Sequence, residues 1–90
     1  MRIGGSKEEQ QRQVEEDLRA AGFSDGYAGD TAFYVVEFDS KQAARLYRFT
    51  HNSTFMDDLN WLVADAYWDA RANGTPPPSR DELARFGPKA

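Results

Sequence analysis

The stretch that decides the fold is residues 53–73, STFMDDLNWLVADAYWDARAN. Its apolar residues recur at spacings of three and four, which is the pattern of a helix with one apolar face. We therefore predict a long amphipathic helix over about residues 54–73, with Ser53 or Thr54 as its N-cap. The stripe that we expect to face the protein core consists of Phe55, Leu59, Leu62 and Ala66.

Two tryptophans of this helix lie outside the stripe. Trp61 and Trp68 are seven residues apart, so they share one line of the helix, on the side away from the stripe. Three outcomes stay open: the first helix or the C-terminal helix covers this line, it is the seam of a homodimer, or it binds another protein. Leu83 and Phe86 are the cover expected in the first case. The partner-binding residues predicted in the third case are Asp57, Asp58, Trp61, Asp65, Trp68 and Asp69.

A capping pattern predicts a helix near the beginning of the chain. Ser6 is followed three residues later by Glu9, the spacing of a capping box, and we predict the first helix over residues 6–21. Gly22 stands where a left-handed residue ends many helices. Residues 1–5 are expected to form a flexible leader.

A second capping pattern lies near the end of the chain. Residues 74–78 contain three consecutive prolines and predict a stiff, extended link. After this link, Ser79 and Glu82 repeat the capping-box spacing. We predict a short C-terminal helix over residues 79–86.

The central part of the chain predicts a β-hairpin. Residues 31–38, TAFYVVEF, are nearly all aromatic or β-branched and favour a strand. A single strand leaves its backbone groups unpaired, so we predict that residues 44–50 form the second strand. The alternative is a helix over residues 39–50, which contain good helix formers. Together these elements predict an α+β fold in one domain, residues 1–90.

Composition and charge narrow the possible functions. The chain has no cysteine, which excludes disulfides, cysteine-ligated metals and thiol catalysis. The first residues contain no apolar segment typical of a signal peptide, and no stretch is long and apolar enough to span a membrane, so we expect a cytoplasmic protein that does not bind membranes. The net charge of −4 favours partners with a basic surface over direct binding to nucleic acid.

Two residue patterns could indicate a catalytic or metal-binding role, but each lacks a feature that such a role requires. His51 is the only histidine and lies between predicted elements, without a nucleophile or orienting group at a useful spacing. Asp58, Asp65 and Asp69 share one side of the long helix, but they lack the tight loop or second element that a metal site normally uses. We predict no enzyme activity, no metal and no cofactor.

The predicted second strand carries cations among aromatic residues. Arg45 and Arg48 alternate with Tyr47 and Phe49, which could form a small platform for nucleic-acid bases. The preferred interpretation is an ordinary strand surface on which Arg45 pairs with Glu37, because the chain as a whole is acidic. Direct nucleic-acid binding is therefore not expected.

The predicted function is a non-enzymatic protein-protein interaction module, a small acidic inhibitor or adaptor that blocks the basic surface of a larger protein. In size, acidity, lack of cysteine and absence of catalytic motifs, the chain is similar to small phage-encoded inhibitors of bacterial defence, including anti-CRISPR proteins. That resemblance implies steric blocking or charge mimicry by rows of carboxylates. A homodimer is a second possible assembly.

An alternative function comes from a different class. The chain could be a dimeric regulator that binds a small molecule or nucleotide between the hairpin and the long helix. Tyr34, Tyr47 and Arg48 would line that pocket. An enzyme that uses His51 as a general base is the third possibility.

Overall fold

The computed structural model describes residues 6–51 and 57–87, apart from the side chain of His51. The described residues form five helices and contain no strand. The helices are α1 (Lys7–Ala20), α2 (Asp25–Glu37), α3 (Lys41–His51), α4 (Asp58–Asn73) and α5 (Arg80–Ala84). The predicted α+β class is therefore wrong, and the described part of the chain is all-helical.

The strand predicted over residues 31–38 lies mostly within α2. Ser24 caps this helix, its hydroxyl accepting a hydrogen bond from the amide of Tyr27. The residues of α2 that are buried are Ala28, Thr31, Ala32, Tyr34 and Val35, and their spacing is helical. β-Branched and aromatic residues lose only a few tenths of a kcal/mol each in a helix, which burial of one full face outweighs. The strand propensity of this stretch was therefore overridden by tertiary packing.

The second predicted strand is also a helix, so the alternative that we kept open for residues 39–50 is the correct one. Ser40 begins α3, with its hydroxyl accepting from the amide of Ala43. The cross-strand pair expected between Glu37 and Arg45 does not form, and Glu37 instead pairs with Lys7 at 3.6 Å. A helix pairs its own backbone groups, which removes the need for a partner strand.

The helices predicted at the two ends are confirmed. The Ser6 hydroxyl accepts from the amide of Glu9 at the start of α1, and Gly22 follows the helix with a φ of 110°. At α5 both bonds of the predicted capping box are present, since Ser79 accepts from the Glu82 amide and the Glu82 carboxylate accepts from the Ser79 amide. The leader predicted over residues 1–5 lies outside the described residues.

The long helix begins later than predicted. Asp57 is the N-cap of α4, and its carboxylate and the Asn60 side chain satisfy each other's backbone amides in a reciprocal capping box. The predicted caps Ser53 and Thr54, and Phe55 of the predicted stripe, lie outside the described residues. At the other end, Gly74 closes the helix in the left-handed conformation, with a φ of 71°.

The core is built where α2 packs between α1 and α4. Polar bonds attach α4 to the end of α2: Trp68 Nε1 donates to the carbonyl of Phe38 at 2.9 Å, and the Arg71 guanidinium donates to the carbonyls of Phe38 and Val35. These carbonyls belong to the last turn of α2, where a helix has no backbone donors left to supply. The bonds therefore fix both the position and the rotation of α4.

None of the described helices is long and apolar enough to cross a membrane.

The face of α4 that enters the core is not the predicted stripe. Leu62 is 56% exposed, and Leu59 and Ala66 are only half-buried. The buried residues of α4 are Asn60, Val63, Ala64, Tyr67 and Trp68. The helix is therefore rotated so that the Trp68 side faces inward and Leu62 faces solvent, which corrects the predicted orientation.

Candidate protein-binding surface

The tryptophan line is part of the core. Trp68 is 4% exposed, and Trp61 is half-buried with its ring centre 5.9 Å from that of Tyr34 and 6.3 Å from that of Trp68. The neighbours of this line are the Tyr34 ring of α2, the Phe38 carbonyl, which accepts a hydrogen bond from the Trp68 indole, and the Arg45 guanidinium of α3. The burial of Trp68 agrees with a covered line, but these contacts come from α2, Phe38 and α3, which were not the elements expected to cover it.

Asp57, another predicted binding residue, has a structural role. Its carboxylate caps α4 and also accepts a hydrogen bond from the hydroxyl of Tyr27, which belongs to α2. A carboxylate with these partners helps to join two helices and offers less to an outside partner.

The remaining predicted residues lie together on the outward side of α4. Asp58, Asp65 and Asp69 are spaced seven and four residues apart, with Leu62 between the first two. Asp58 and Asp69 are exposed and have no ion pair within the described residues, whereas Asp65 pairs with Lys41 at 3.0 Å. The outcome is an acidic row interrupted by one exposed leucine.

A second exposed row, missed by our sequence reasoning, lies on α3. Phe49 is 87% exposed and Leu46 is 65% exposed, and both lie on the side opposite the buried Ala44. Together with Arg45 and the edge of Trp61, they line an open basin of about 780 Å³. Placing residues 41–51 on a helix would have shown this row, since Arg45, Leu46 and Phe49 then share one side.

Two contacts align the exposed rows of α3 and α4. Lys41, at the start of α3, reaches Asp65, and the guanidinium of Arg45 lies 6.0 Å from the ring centre of Trp61. The earlier residue of α3 contacts the later residue of α4, so the two helices are antiparallel neighbours. We define the α3–α4 face as a set of outward-facing residues of this helix pair: Arg45, Leu46, Phe49, Asp58, Leu62, Asp65 and Asp69.

The structure gives little support to the other candidate sites, which are a metal site, a catalytic His51 and a ligand pocket. Within the described residues, no group of three potential metal-ligating side chains comes together. The side chain of His51 lies outside the described residues. Tyr34 is 0% exposed, so the ligand pocket predicted from Tyr34, Tyr47 and Arg48 is not present in that form.

The buried Tyr67 has a raised pKa. Its cause is burial first and the charge of Asp17 second, and the Tyr67 hydroxyl has no hydrogen-bond partner within the described residues.

Comparison with known proteins identifies no relative: no family model matches the chain, and no match was found among curated proteins or solved structures.

Proposed function

We propose that the protein is a non-enzymatic interaction module that binds a protein with a basic surface through the α3–α4 face. The observation that carries this proposal is the exposure of three large apolar side chains on two adjoining helices: Leu46, Phe49 and Leu62. A small domain with a closed core gains nothing in stability from leaving these side chains in water. Leu46 and Phe49 line one basin, and contiguous exposed apolar residues commonly mark interaction sites.

The charges of the face indicate the type of partner. Leu62 is flanked along α4 by Asp58 four residues before it and Asp65 three residues after it, and Asp69 extends the row. Carboxylates around an apolar contact attract a basic surface and orient it, while the apolar side chain supplies contact area. A partner with lysines or arginines around a shallow apolar patch fits this arrangement.

Binding of this kind inhibits by occupying a surface, and it needs no reaction. If the covered surface of the partner normally binds nucleic acid, the carboxylates of α4 take the place of phosphates there. This is the mode of action that the resemblance to phage-encoded inhibitors implies. Arg45 on the same face makes the surface mixed in charge, so its fit to the partner depends on shape as well as on net charge.

The test uses a photo-crosslinking residue in place of Leu62 and, as a matched control, in place of Gln13 on the exposed side of α1. We expect position 62 to form a crosslink to a protein partner and position 13 to form none. The same product should disappear when Asp58 and Asp69 are both changed to Lys. A product that survives this double change, or that forms equally from both positions, would contradict the proposal.

The basin beside Arg45 favours a second candidate function, the binding of a small anionic aromatic molecule. Arg45 would pair with the anion, and the exposed ring of Phe49 would stack on the aromatic part. Binding of a ligand to the folded state alone raises the melting temperature. A screen of nucleotides should then raise the melting temperature of the native protein but not that of Arg45→Gln; no rise with any nucleotide would remove this candidate.

A further inference from the structure

The distribution of charge between α3 and α4 is unequal. Lys41–His51 contains three basic residues and no acidic one, although the chain as a whole has a net charge of −4. Asp58–Asn73 contains three acidic residues and one basic residue. Of these bases Arg45 is exposed, beside the exposed Leu46 and Phe49, while Lys41 pairs with Asp65. The protein thus presents on α3 a base and two apolar side chains of the kind that the acidic row of α4 is proposed to bind.

We infer that the α3–α4 face binds a second copy of the same chain, with α3 of each copy lying on α4 of the other. This inference rests on the proposed function, since it names a partner for the same face. It also accounts for the proposed basic partner with residues that are present in the structure.

The arrangement of the two helices allows such a dimer to close. The helices α3 and α4 lie side by side. A two-fold axis that runs parallel to them, in the plane of the contact and over the groove between them, therefore places α3 on the partner's α4 and α4 on the partner's α3. Every contact then occurs twice, as it does in most homodimers, and no surface is left to extend the assembly.

The contacts across this dimer are complementary. Leu46 and Phe49 of one copy meet Leu62 of the other, which removes the most exposed apolar side chains of α3 and α4 from water. Arg45 meets the acidic row, where Asp58 and Asp69 have no ion pair within the described residues. Packing α3 on a second α3 would instead bring bases against bases, which is unfavourable.

The first experiment measures the mass of the full chain by sedimentation equilibrium over a range of concentrations, at low and high salt. We expect a monomer–dimer equilibrium that shifts towards monomer as salt is added, because screening weakens the charge pairs. Phe49→Asp should raise the dimer dissociation constant by roughly tenfold or more, as for the loss of a central apolar contact. Its helical circular dichroism should match that of the native chain, since Phe49 is 87% exposed.

The second experiment tests which helices meet. Arg45→Glu alone and the double variant Asp58→Lys, Asp69→Lys alone should each be monomeric, because like charges then face each other at both contacts. A mixture of the two variants should form a heterodimer, since the reversed charges meet each other and the unchanged pair remains. Arg12→Glu, the same charge change on the exposed surface of α1, should leave the native dimer intact.

Each outcome decides the inference. A chain that is monomeric at every concentration overturns the dimer, and so does a dimer whose dissociation constant is unchanged in Phe49→Asp. Failure of the mixed variants to associate overturns the pairing of α3 with α4. The crosslinking test stands apart from these results: a monomer that still crosslinks to a host protein from position 62 contradicts the dimer and supports the proposed function, whereas a monomer that crosslinks to nothing contradicts both.

Discussion

Both faces of α4 contain a large apolar side chain, but the two faces have different environments. The inner face presents Val63 and Trp68 to the core, while the outer face leaves Leu62 in solvent among aspartates. Hydrophobicity alone does not separate them, because Leu62 is as apolar as Val63. The difference lies in the polar groups that accompany each face. On the inner face the Asn60 amide and the Trp68 indole find partners inside the protein. The outer face carries the carboxylates of Asp58, Asp65 and Asp69, of which only Asp65 forms an ion pair within the described residues.

Two polar groups of the inner face have partners inside the protein. Asn60 is buried and its side-chain amide donates to the Thr31 hydroxyl at 2.7 Å, and the indole N–H of Trp68 donates to the Phe38 carbonyl. Buried donors with partners of this kind specify one rotation of the helix, since any other rotation would leave them unsatisfied. The outer face has no equivalent demand, and it is therefore free to serve binding.

The largest expected effect on stability comes from truncating Trp68, the largest buried side chain of the inner face. Trp68→Ala should lower the free energy of unfolding by about 3–5 kcal/mol, through the cavity it leaves and the lost bond to Phe38. The measurement is urea denaturation followed by circular dichroism. Leu62→Ala on the outer face is the matched control and should change stability by less than about 0.5 kcal/mol. Equal losses in the two variants would mean that Leu62 is also buried in the folded protein.

A smaller loss is expected from the buried polar pair. Asn60→Ala should cost about 2 kcal/mol, because it leaves the buried Thr31 hydroxyl without its donor and the Asp57 amide without the side-chain oxygen that it donates to. Thr31→Val removes the other member while nearly preserving its shape. In a double-mutant cycle the two changes together should cost less than the sum of the single changes. Additive losses would show that Asn60 and Thr31 do not interact.

The smallest effect concerns an imperfection of the inner face. Tyr67→Phe should leave stability unchanged or raise it by about 1 kcal/mol at neutral pH, because it removes a buried hydroxyl without a partner in the described structure. Tyr27→Phe is the matched control, since the Tyr27 hydroxyl bonds to Asp57, and it should lower stability. A clear loss in Tyr67→Phe would indicate that an ordered water satisfies this hydroxyl.

The same tyrosine predicts a dependence on pH. Burial raises the pKa of Tyr67 above its ordinary value of 10.0, so the unfolded chain loses this proton at a lower pH than the folded protein does. Above about pH 10 the unfolded state therefore binds fewer protons, and the free energy of unfolding falls as pH rises. Denaturation of the native chain and Tyr67→Phe at pH 7 and pH 11 should show a smaller fall in the variant.

Local signals near single residues were sufficient for the helix ends. Ser6 and Ser79 cap helices as predicted, and Gly22 ends α1, because capping depends on a few neighbouring atoms. The predicted hairpin failed for the opposite reason. Aromatic and β-branched residues at 31–38 favour a strand only weakly, and the choice between strand and helix was made by the surfaces of α1 and α4 against which they pack.

The candidate site also contains one part that could be predicted from local spacing and another that depended on tertiary packing. The outward Asp58, Asp65 and Asp69 were predicted, because acidic residues on one side of a helix can be identified from spacing alone. Their apolar neighbours were not, since Leu62 was assigned to the core, and Leu46 and Phe49 to a strand. Trp61 and Trp68 were among the predicted partner-binding residues, and Trp68 is one of the buried side chains of α4.

The sequence by itself determined the caps, the presence of the long helix and the acidic row along it, since each depends on contacts within a few turns of chain. The tertiary structure decided that residues 25–37 are a helix and that α4 turns Trp68 inward. It also decided that the exposed apolar residues of α3 lie beside that acidic row. These outcomes depend on which distant groups can satisfy the indole of Trp68 and the amide of Asn60, and on how α2 fills the space between its neighbours. Spacing along the chain does not contain that information, because the partners are about 30 residues away.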